Sequence, residues 1–287
     1  MATIENKITD SIALIRKGER LALALNPTDG YFVGFSGGKD SQVLLELVKM
    51  ANVKFKAYYS VTTNDPPDNV YFIRTNYPDV AFIHPKDNFF KLVEKKGLPT
   101  RNRRFCCIYL KENTGTGNVV LTGVRAEESN RRASYNEIQV ISRRKEHADR
   151  SRKRTIEEIE QNEHRCIKGK DKLMIYPLLH WTTDDVWQFI HERHLPINPC
   201  YKKFNRVGCM FCPFSSKAQI EHYELLYPKF KDHLINAMDI YISHKSSKND
   251  LTADQYYEWW KSKKSIKQFI SEQRQLSINF EKNYGRD

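Results

Sequence analysis

Short apolar runs alternate with charged segments of helical period along much of this chain. Tyr31-Phe32-Val33-Gly34-Phe35, Val53 to Val61, Val80-Ala81-Phe82-Ile83-His84 and Asn118 to Val124 are each compact and β-rich, and each predicts a strand. Between them, the apolar spacing of Gln42 to Val48 predicts a helix running to about Met50. Asn69 to Asn76 and Asn88 to Lys96 predict two more, the last ended by Gly97. Strand and helix alternating at this spacing predict an α/β fold built on a doubly wound parallel sheet.

The flanks read differently. Residues 1–26 carry Ile8, Ile12, Leu14, Ile15, Leu21 and Leu23 at helical period and predict one amphipathic helix. Residues 141–172 are charged and poor in apolar positions, and predict an excursion from the core that contains Cys166 as an isolated thiol. Order resumes at Leu173 to Leu179, after which Thr182 or Thr183 caps a helix with Asp184 and Asp185 in its first turn. From Ala218 to Tyr284 the pattern is helical and aromatic-rich, and the aromatics are expected to be core. The expected organisation is an N-terminal helix over 1–27, an α/β domain over 28–215 and a helical region over 216–287.

The first strand runs into Ser36-Gly37-Gly38-Lys39-Asp40-Ser41. Adjacent glycines let a backbone approach a ligand and turn its N–H groups toward it. The following helix adds free N–H groups and the positive end of its dipole, so the stretch predicts a phosphate site. Lys39 adds charge, Ser36 and Ser41 add hydroxyls, and Asp40 is placed to face Mg²⁺. The spacing is not G-x-x-x-x-G-K-[ST]. Beyond the fourth strand, Gly123, Arg125, Glu128 and Arg132 lie where a parallel sheet exposes its carboxyl edge, a position suited to phosphate and to ordering a site. Thr62 and Asp65 follow the second strand at the same edge.

Charge and cysteine content sharpen this picture. The 287 residues carry a net charge of +12, concentrated in Arg101 to Arg104, Arg125 to Arg132, Arg143 to Lys153 and Lys202 to Arg206. Such runs around an anion site favour an anionic macromolecule, nucleic acid above all, as partner. No apolar run approaches the roughly 20 residues that span a bilayer, and the N-terminus lacks the pattern of a signal peptide, so a cytoplasmic protein is expected, with no membrane partner. Six cysteines in such a setting are not expected to form disulfides. Cys209-x-x-Cys212 presents two thiolates on one turn, and Cys106-Cys107 is an adjacent pair. Four thiolates suit either zinc or a 4Fe–4S cluster, and the adjacent pair is awkward for a structural zinc site.

The S-G-G-K-D-S loop resembles that of the PP-loop ATP pyrophosphatases, which cleave ATP between its α and β phosphates. With Arg104-Phe105-Cys106-Cys107, Gly123-Val124-Arg125, Glu128-Ser129, Asn198-Pro199-Cys200-Tyr201 and Gly208-Cys209-Met210-Phe211-Cys212-Pro213, residues 28–215 look like the phosphoadenosine-phosphosulfate reductase branch of that group. The resemblance implies that Cys106, Cys107, Cys209 and Cys212 hold a 4Fe–4S cluster, as in the iron–sulfur members. It also implies an ATP site at Ser36, Gly37, Gly38, Lys39, Asp40, Ser41, Thr62, Asp65, Gly123, Arg125, Glu128 and Arg132, with Lys39, Asp40, Ser41 and Arg125 catalytic.

The sulfate-assimilation reductases carry a nucleophilic cysteine near their C-terminus, whereas no cysteine follows Cys212 here. The combination is similar to the DNA phosphorothioation proteins of the DndC and SspD kind. That likeness implies an ATP pyrophosphatase and sulfurtransferase using Mg²⁺, a cysteine desulfurase as sulfur donor, and DNA and other phosphorothioation proteins as partners. A tRNA thiolase, a sulfonucleotide reductase and a non-catalytic scaffold that binds a desulfurase are the alternatives. Cys200 stands where the family more often has an apolar residue, which raises a sulfur-relay role for it.

Overall fold

The computed structural model describes residues 3–141, 155–162, 171–244 and 251–284. Cys166 and the basic run 143–153 lie outside these residues, as does the end of the chain from 285. The chain forms two compact units that interleave in sequence. The first comprises residues 1–61, 65–85 and 110–208, and the second 62–64, 86–109 and 209–287.

The first unit is built on six strands: β1 (Tyr31–Gly34), β2 (Phe55–Ser60), β3 (Ala81–Ile83), β4 (Val119–Leu121), β5 (Ile138–Ile141) and β6 (Lys172–Ile175). Their order is β3-β2-β1-β4-β6-β5, and every neighbouring pair is parallel except β5 with β6. The doubly wound, mostly parallel sheet is as expected. Helices Lys39–Ala51 and Pro67–Asn76 lie in the β1–β2 and β2–β3 connections. The chain leaves β1 toward β2, while β4 occupies its other side with Phe32 opposite Val120 and Val33 opposite Leu121. The loops after β1 and β4 therefore start side by side at the point where strand order reverses, where open α/β sheets place ligands.

β5 was not expected. Ile138 to Ile141 is a four-residue run beside a charged segment, and it is held as an edge strand by antiparallel pairing of Ile138 with Ile175 and Ile141 with Lys172. The N-terminal region also departs from one continuous helix: Ile4–Lys17 and Glu19–Leu25 meet at Gly18. A Cβ at Gly18 would stand 2.6 Å from the Tyr31 hydroxyl and 2.8 Å from Ile175 Cδ1, so the chain turns where only glycine fits. The first helix packs on Lys39–Ala51, and Arg16 Nε donates to Ala51 O at 3.0 Å across that contact.

The second unit contains helices Phe89–Lys96, Lys217–Leu226, Pro228–Ser243, Ala253–Ser262 and Ile266–Tyr284. Phe89–Lys96 packs against Pro228–Ser243. Phe211 is buried and stacked on Phe230, with centroids 5.1 Å apart. Of the aromatics expected in a core, Tyr223, Tyr257 and Trp260 are buried, while Tyr227, Phe230, Tyr241, Tyr256 and Trp259 are half-buried. Among the described residues no helix is long and apolar enough to cross a membrane.

Candidate functional site

The loop after β1 is shaped by its own side chains. Gly37 has φ +74°, in the left-handed region that glycine tolerates. Ser41 Oγ accepts the Ser36 N–H at 3.1 Å and donates to Gly38 O at 2.8 Å, which closes the loop onto the first turn of its helix. Gly38 is the N-cap of that helix and supplies no capping side chain. The loop therefore ends at the uncapped start of that helix, whose dipole and first-turn N–H groups are what an anion site requires.

Residues distant in sequence hold this loop in place. Asn198 Nδ2 donates to Gly37 O at 2.9 Å and to Asn69 Oδ1 at 2.7 Å, and Asn69 Nδ2 donates to Ser36 O at 3.1 Å. The Lys39 N–H donates to the Tyr201 hydroxyl at 2.8 Å. Burial pushes the Tyr201 phenol up to about 12, against the smaller opposing effect of that amide, so it stays protonated. Asn198 and Tyr201 belong to the N-P-C-Y stretch visible in the sequence, but nothing in that stretch shows that its side chains reach the glycine loop. Asn69 gave no signal at all.

Arg125 lies at the centre of the charge arrangement. Its side chain is 4% exposed. Nε donates to Asp40 Oδ1 at 2.6 Å and Nη1 to Glu127 Oε2 at 2.6 Å. Nη2 donates to Thr183 Oγ1 at 3.2 Å, and Nη1 also reaches Trp181 O at 3.4 Å. Burial works against the charged guanidinium, and the carboxylates of Asp40, Glu127 and Glu128 outweigh it, so its pKa is raised. Lys39 Nζ sits on the same Asp40 carboxylate, 2.8 Å from Oδ1 and 3.0 Å from Oδ2. Glu127 is the functional neighbour that sequence reasoning passed over. It accepts from Thr183 N–H at 2.7 Å and from Thr183 Oγ1 at 2.9 Å. Thr182, not Thr183, caps the following helix in a capping box with Asp185, which leaves Thr183 for Arg125 and Glu127.

Gly123 is needed for close approach: a Cβ there would stand 2.7 Å from Asp40 O. Glu128 Oε2 accepts the Arg125 N–H at 3.0 Å and forms an ion pair with Arg132 Nη1. Structure thus brings together Ser36, Gly37, Gly38, Lys39, Asp40, Ser41, Gly123, Arg125, Glu128 and Arg132 within the first unit. Half-buried Asp65 also belongs to that unit, whereas Thr62 is buried in the second with Thr63 and Asn64.

Cys106, Cys107, Cys209 and Cys212 all fall in the second unit, and all are half-buried and outside any disulfide. The C-x-x-C turn is anchored from within. Met210 N–H donates to Asn64 O at 2.7 Å, Asn64 Nδ2 donates to Met210 O at 3.1 Å, and Phe211 takes φ +48° with its ring in the core. The hydrogen bond with Cys107 pushes the Cys106 thiol up, followed by burial and the charges of Cys107 and Cys209. Among the described residues no three His, Cys, Asp or Glu side chains stand close enough together to hold a metal ion. The four cysteines share one unit and offer soft sulfur donors, the ligand type that thiophilic metals and clusters take. Cys200 is fully buried, and burial, then Asp68, pushes its thiol up to about 11, which keeps it a protonated core group.

The phosphoadenosine phosphosulfate reductase domain matches residues 30–215, well over half of the chain. This chain belongs to that family. An uncharacterised protein of Methanocaldococcus jannaschii is 25% identical over 223 residues, covering 73% of this chain and 41% of that protein. A second from the same organism is 24% identical over 230 residues, covering 79% and 51%. The chain therefore spans about half the length of these relatives. Adenosine 5′-phosphosulfate reductase of Bacillus cereus is 25% identical over 191 residues, covering 62% of this family member and 70% of the reductase. Solved structures with some likeness to this chain include the phosphoadenylyl-sulfate reductase of Candida auris in a phosphate complex, with TM-score 0.45, 16% identity and coverage of 74% and 98%. Another is the FMN adenylyltransferase of Candida glabrata with FMN and an ATP analogue, with TM-score 0.44, 14% identity and coverage of 77% and 77%.

Proposed function

We propose that this family member is an ATP pyrophosphatase that activates a nucleic-acid phosphate, in DNA above all, for replacement of a non-bridging oxygen by sulfur. The observation that supports this reading is the loop Ser36 to Ser41, with its amides, Lys39 and Asp40 gathered at the β1–β4 switch point. A phosphate oxygen leaves only as part of a better leaving group. Attack of that oxygen on the α-phosphorus of ATP forms the P–O–P bond of an adenylate and expels pyrophosphate. The loop N–H groups and Lys39 stabilise charge on the departing pyrophosphate. Asp40 is the residue that would hold Mg²⁺, which would neutralise part of that charge. The terminal sulfur of a desulfurase persulfide then attacks the activated phosphorus and AMP leaves. A second thiol cleaves the S–S bond of the adduct, giving the phosphorothioate and a disulfide. Cys106, Cys107, Cys209 and Cys212 are the residues that would hold a 4Fe–4S cluster, in preference to zinc, and such a cluster supplies a redox-active sulfide centre.

ATP turnover by the anaerobically purified protein, assayed for pyrophosphate and AMP against phosphate and ADP with and without DNA, tests the reading. Lys39→Ala and Asp40→Ala should each abolish pyrophosphate release while iron, acid-labile sulfide and cluster absorbance are retained. Wild-type pyrophosphate release by both variants would show that the loop is not the site. The Bacillus cereus relative supports a second reading, sulfonucleotide reduction. Reduction of adenosine 5′-phosphosulfate with no ATP turnover under any condition would establish it instead.

A further inference from the structure

Two large aromatic side chains of the second unit stand in water: Tyr109 is 51% and Phe214 is 50% exposed. Single exposed aromatics are ordinary on a protein surface. These two share features that isolated exposure does not explain. Each lies two residues beyond a cysteine pair, Tyr109 after Cys106-Cys107 and Phe214 after Cys209-x-x-Cys212. Each also has a cation against its ring. Lys96 Nζ is 5.1 Å from the Tyr109 centroid, and Arg104 Cζ is 5.7 Å from that of Phe214. The two pairs are physically joined, because Arg103 Nη2 donates to Lys96 O at 2.7 Å and Arg103 precedes Arg104 in the chain. Arg101, also exposed, adds positive charge to the same segment of chain.

A ring that is half exposed and has a cation near it offers a flat surface for another π-system and leaves positive charge beside that surface. A nucleotide needs both, a plane for its base and charge for its phosphate, and strand-binding proteins combine them in this way. In a duplex the faces of the bases are covered by stacking on their neighbours, so only an unpaired strand can offer them to the rings. We propose that the Tyr109–Phe214 face is a base-stacking platform for a single-stranded or locally unpaired stretch of the nucleic-acid substrate. The proposal rests on the nucleic-acid reading above and narrows it to the strand state that the protein grips.

The test is fluorescence anisotropy of the anaerobically purified full chain with three labelled probes of equal length: a single-stranded DNA, its duplex, and a strand of abasic sites, which keeps the phosphates and lacks the bases. Wild type should bind the single strand most tightly. Tyr109→Ala and Phe214→Ala should each weaken that binding roughly tenfold while leaving abasic-strand affinity within about twofold. Tyr109→Phe, which keeps the ring, should bind as wild type. Because both side chains are half exposed, unchanged circular dichroism is expected and confirms that the fold is intact. Equal affinity of wild type for the abasic and base-bearing strands, or Ala variants that bind like wild type, would overturn the platform while leaving the nucleic-acid reading standing. Failure of all three probes to bind would refute both. Variants that retain strand binding but lose association with a cysteine desulfurase would assign this face to a protein and overturn the proposal.

Discussion

Replacing Arg125 by methionine is the sharpest test of the charge arrangement at the site. Methionine roughly preserves the length and apolar stem of the side chain and removes the guanidinium. Four hydrogen bonds go with it, two of them to carboxylates at 2.6 Å. A charge-assisted bond is worth about 1.5–3 kcal/mol when shielded from water. The Glu127 side chain is 50% exposed, so its bond is discounted to about 0.5 kcal/mol. The Asp40 side chain is 24% exposed and keeps the lower part of the range, about 1.5 kcal/mol. The long bonds to Thr183 and Trp181 add roughly 1 kcal/mol together.

The sum is a loss of about 3 kcal/mol from the first unit, or roughly 6–12 °C in its melting temperature. Urea denaturation followed by circular dichroism measures it. Arg125→Lys should recover little, because an ammonium cannot bridge Asp40, Glu127 and Thr183 with fixed, diverging donors. A double-mutant cycle with Asp40→Asn isolates the pair and should return a coupling of about 1–2 kcal/mol. Stability of Arg125→Met within about 0.5 kcal/mol of wild type would refute the reasoning, since it would mean that the guanidinium gains nothing from its partners.

Two further outcomes follow from named contacts. Gly37→Ala places a Cβ 2.4 Å from Asn69 Oδ1 at φ +74°, so it should destabilise the first unit by about 1–2 kcal/mol from the backbone alone and break the Asn69–Asn198 tie; a thermal melt and an ATP-binding titration check both effects. Glu127 and Asp185 have lowered pKa values. In Glu127 the Thr183 hydroxyl is the largest cause. In Asp185 burial opposes the shift, and bonds from Lys7 and Thr182 outweigh it. Their contribution should be fully present above the ordinary values of 4.5 and 3.8 and be lost as pH falls through the lowered ones, so melts from pH 6 to 3 should show a decline that Lys7→Met makes shallower.

Much of the scaffold was legible because its signals are local. The apolar run into Gly37-Gly38, the helix pattern of 42–48 and the helical spacing beyond Ala218 each depend on neighbours in sequence, and the structure places strand, loop and helices there. What escaped depends on contacts across the chain. β5 is a strand only because β6 lies beside it. The break at Gly18 is fixed by Tyr31 and Ile175. Asn198 and Tyr201 reach the loop from 161 and 162 residues away. Even Thr182 and Thr183, equivalent as caps by sequence, are separated only by Glu127, which engages the second from 56 residues away.

The same contacts divide labour among the charged residues. Lys39 and Arg125 against Asp40 and Glu127 sum to no net charge, so these four as a set give a polyphosphate no overall Coulombic attraction. On the proposed reading, attraction beyond that of the helix dipole and its N–H groups would come from a charge that can be moved. Arg125 is fixed by two carboxylates, a hydroxyl and a backbone carbonyl. Among the described residues Lys39 Nζ bonds to Asp40 alone. If Lys39 turns to a phosphate, Asp40 is not left as an isolated carboxylate, because Arg125 remains on Oδ1 while Oδ2 becomes available to a divalent cation. On the proposed ATP reading, Arg125 would be the permanent counter-charge, Lys39 the transferable one, and Asp40 the exchange point between protein and Mg²⁺. That division explains why a buried arginine stands beside a loop that already carries its own lysine.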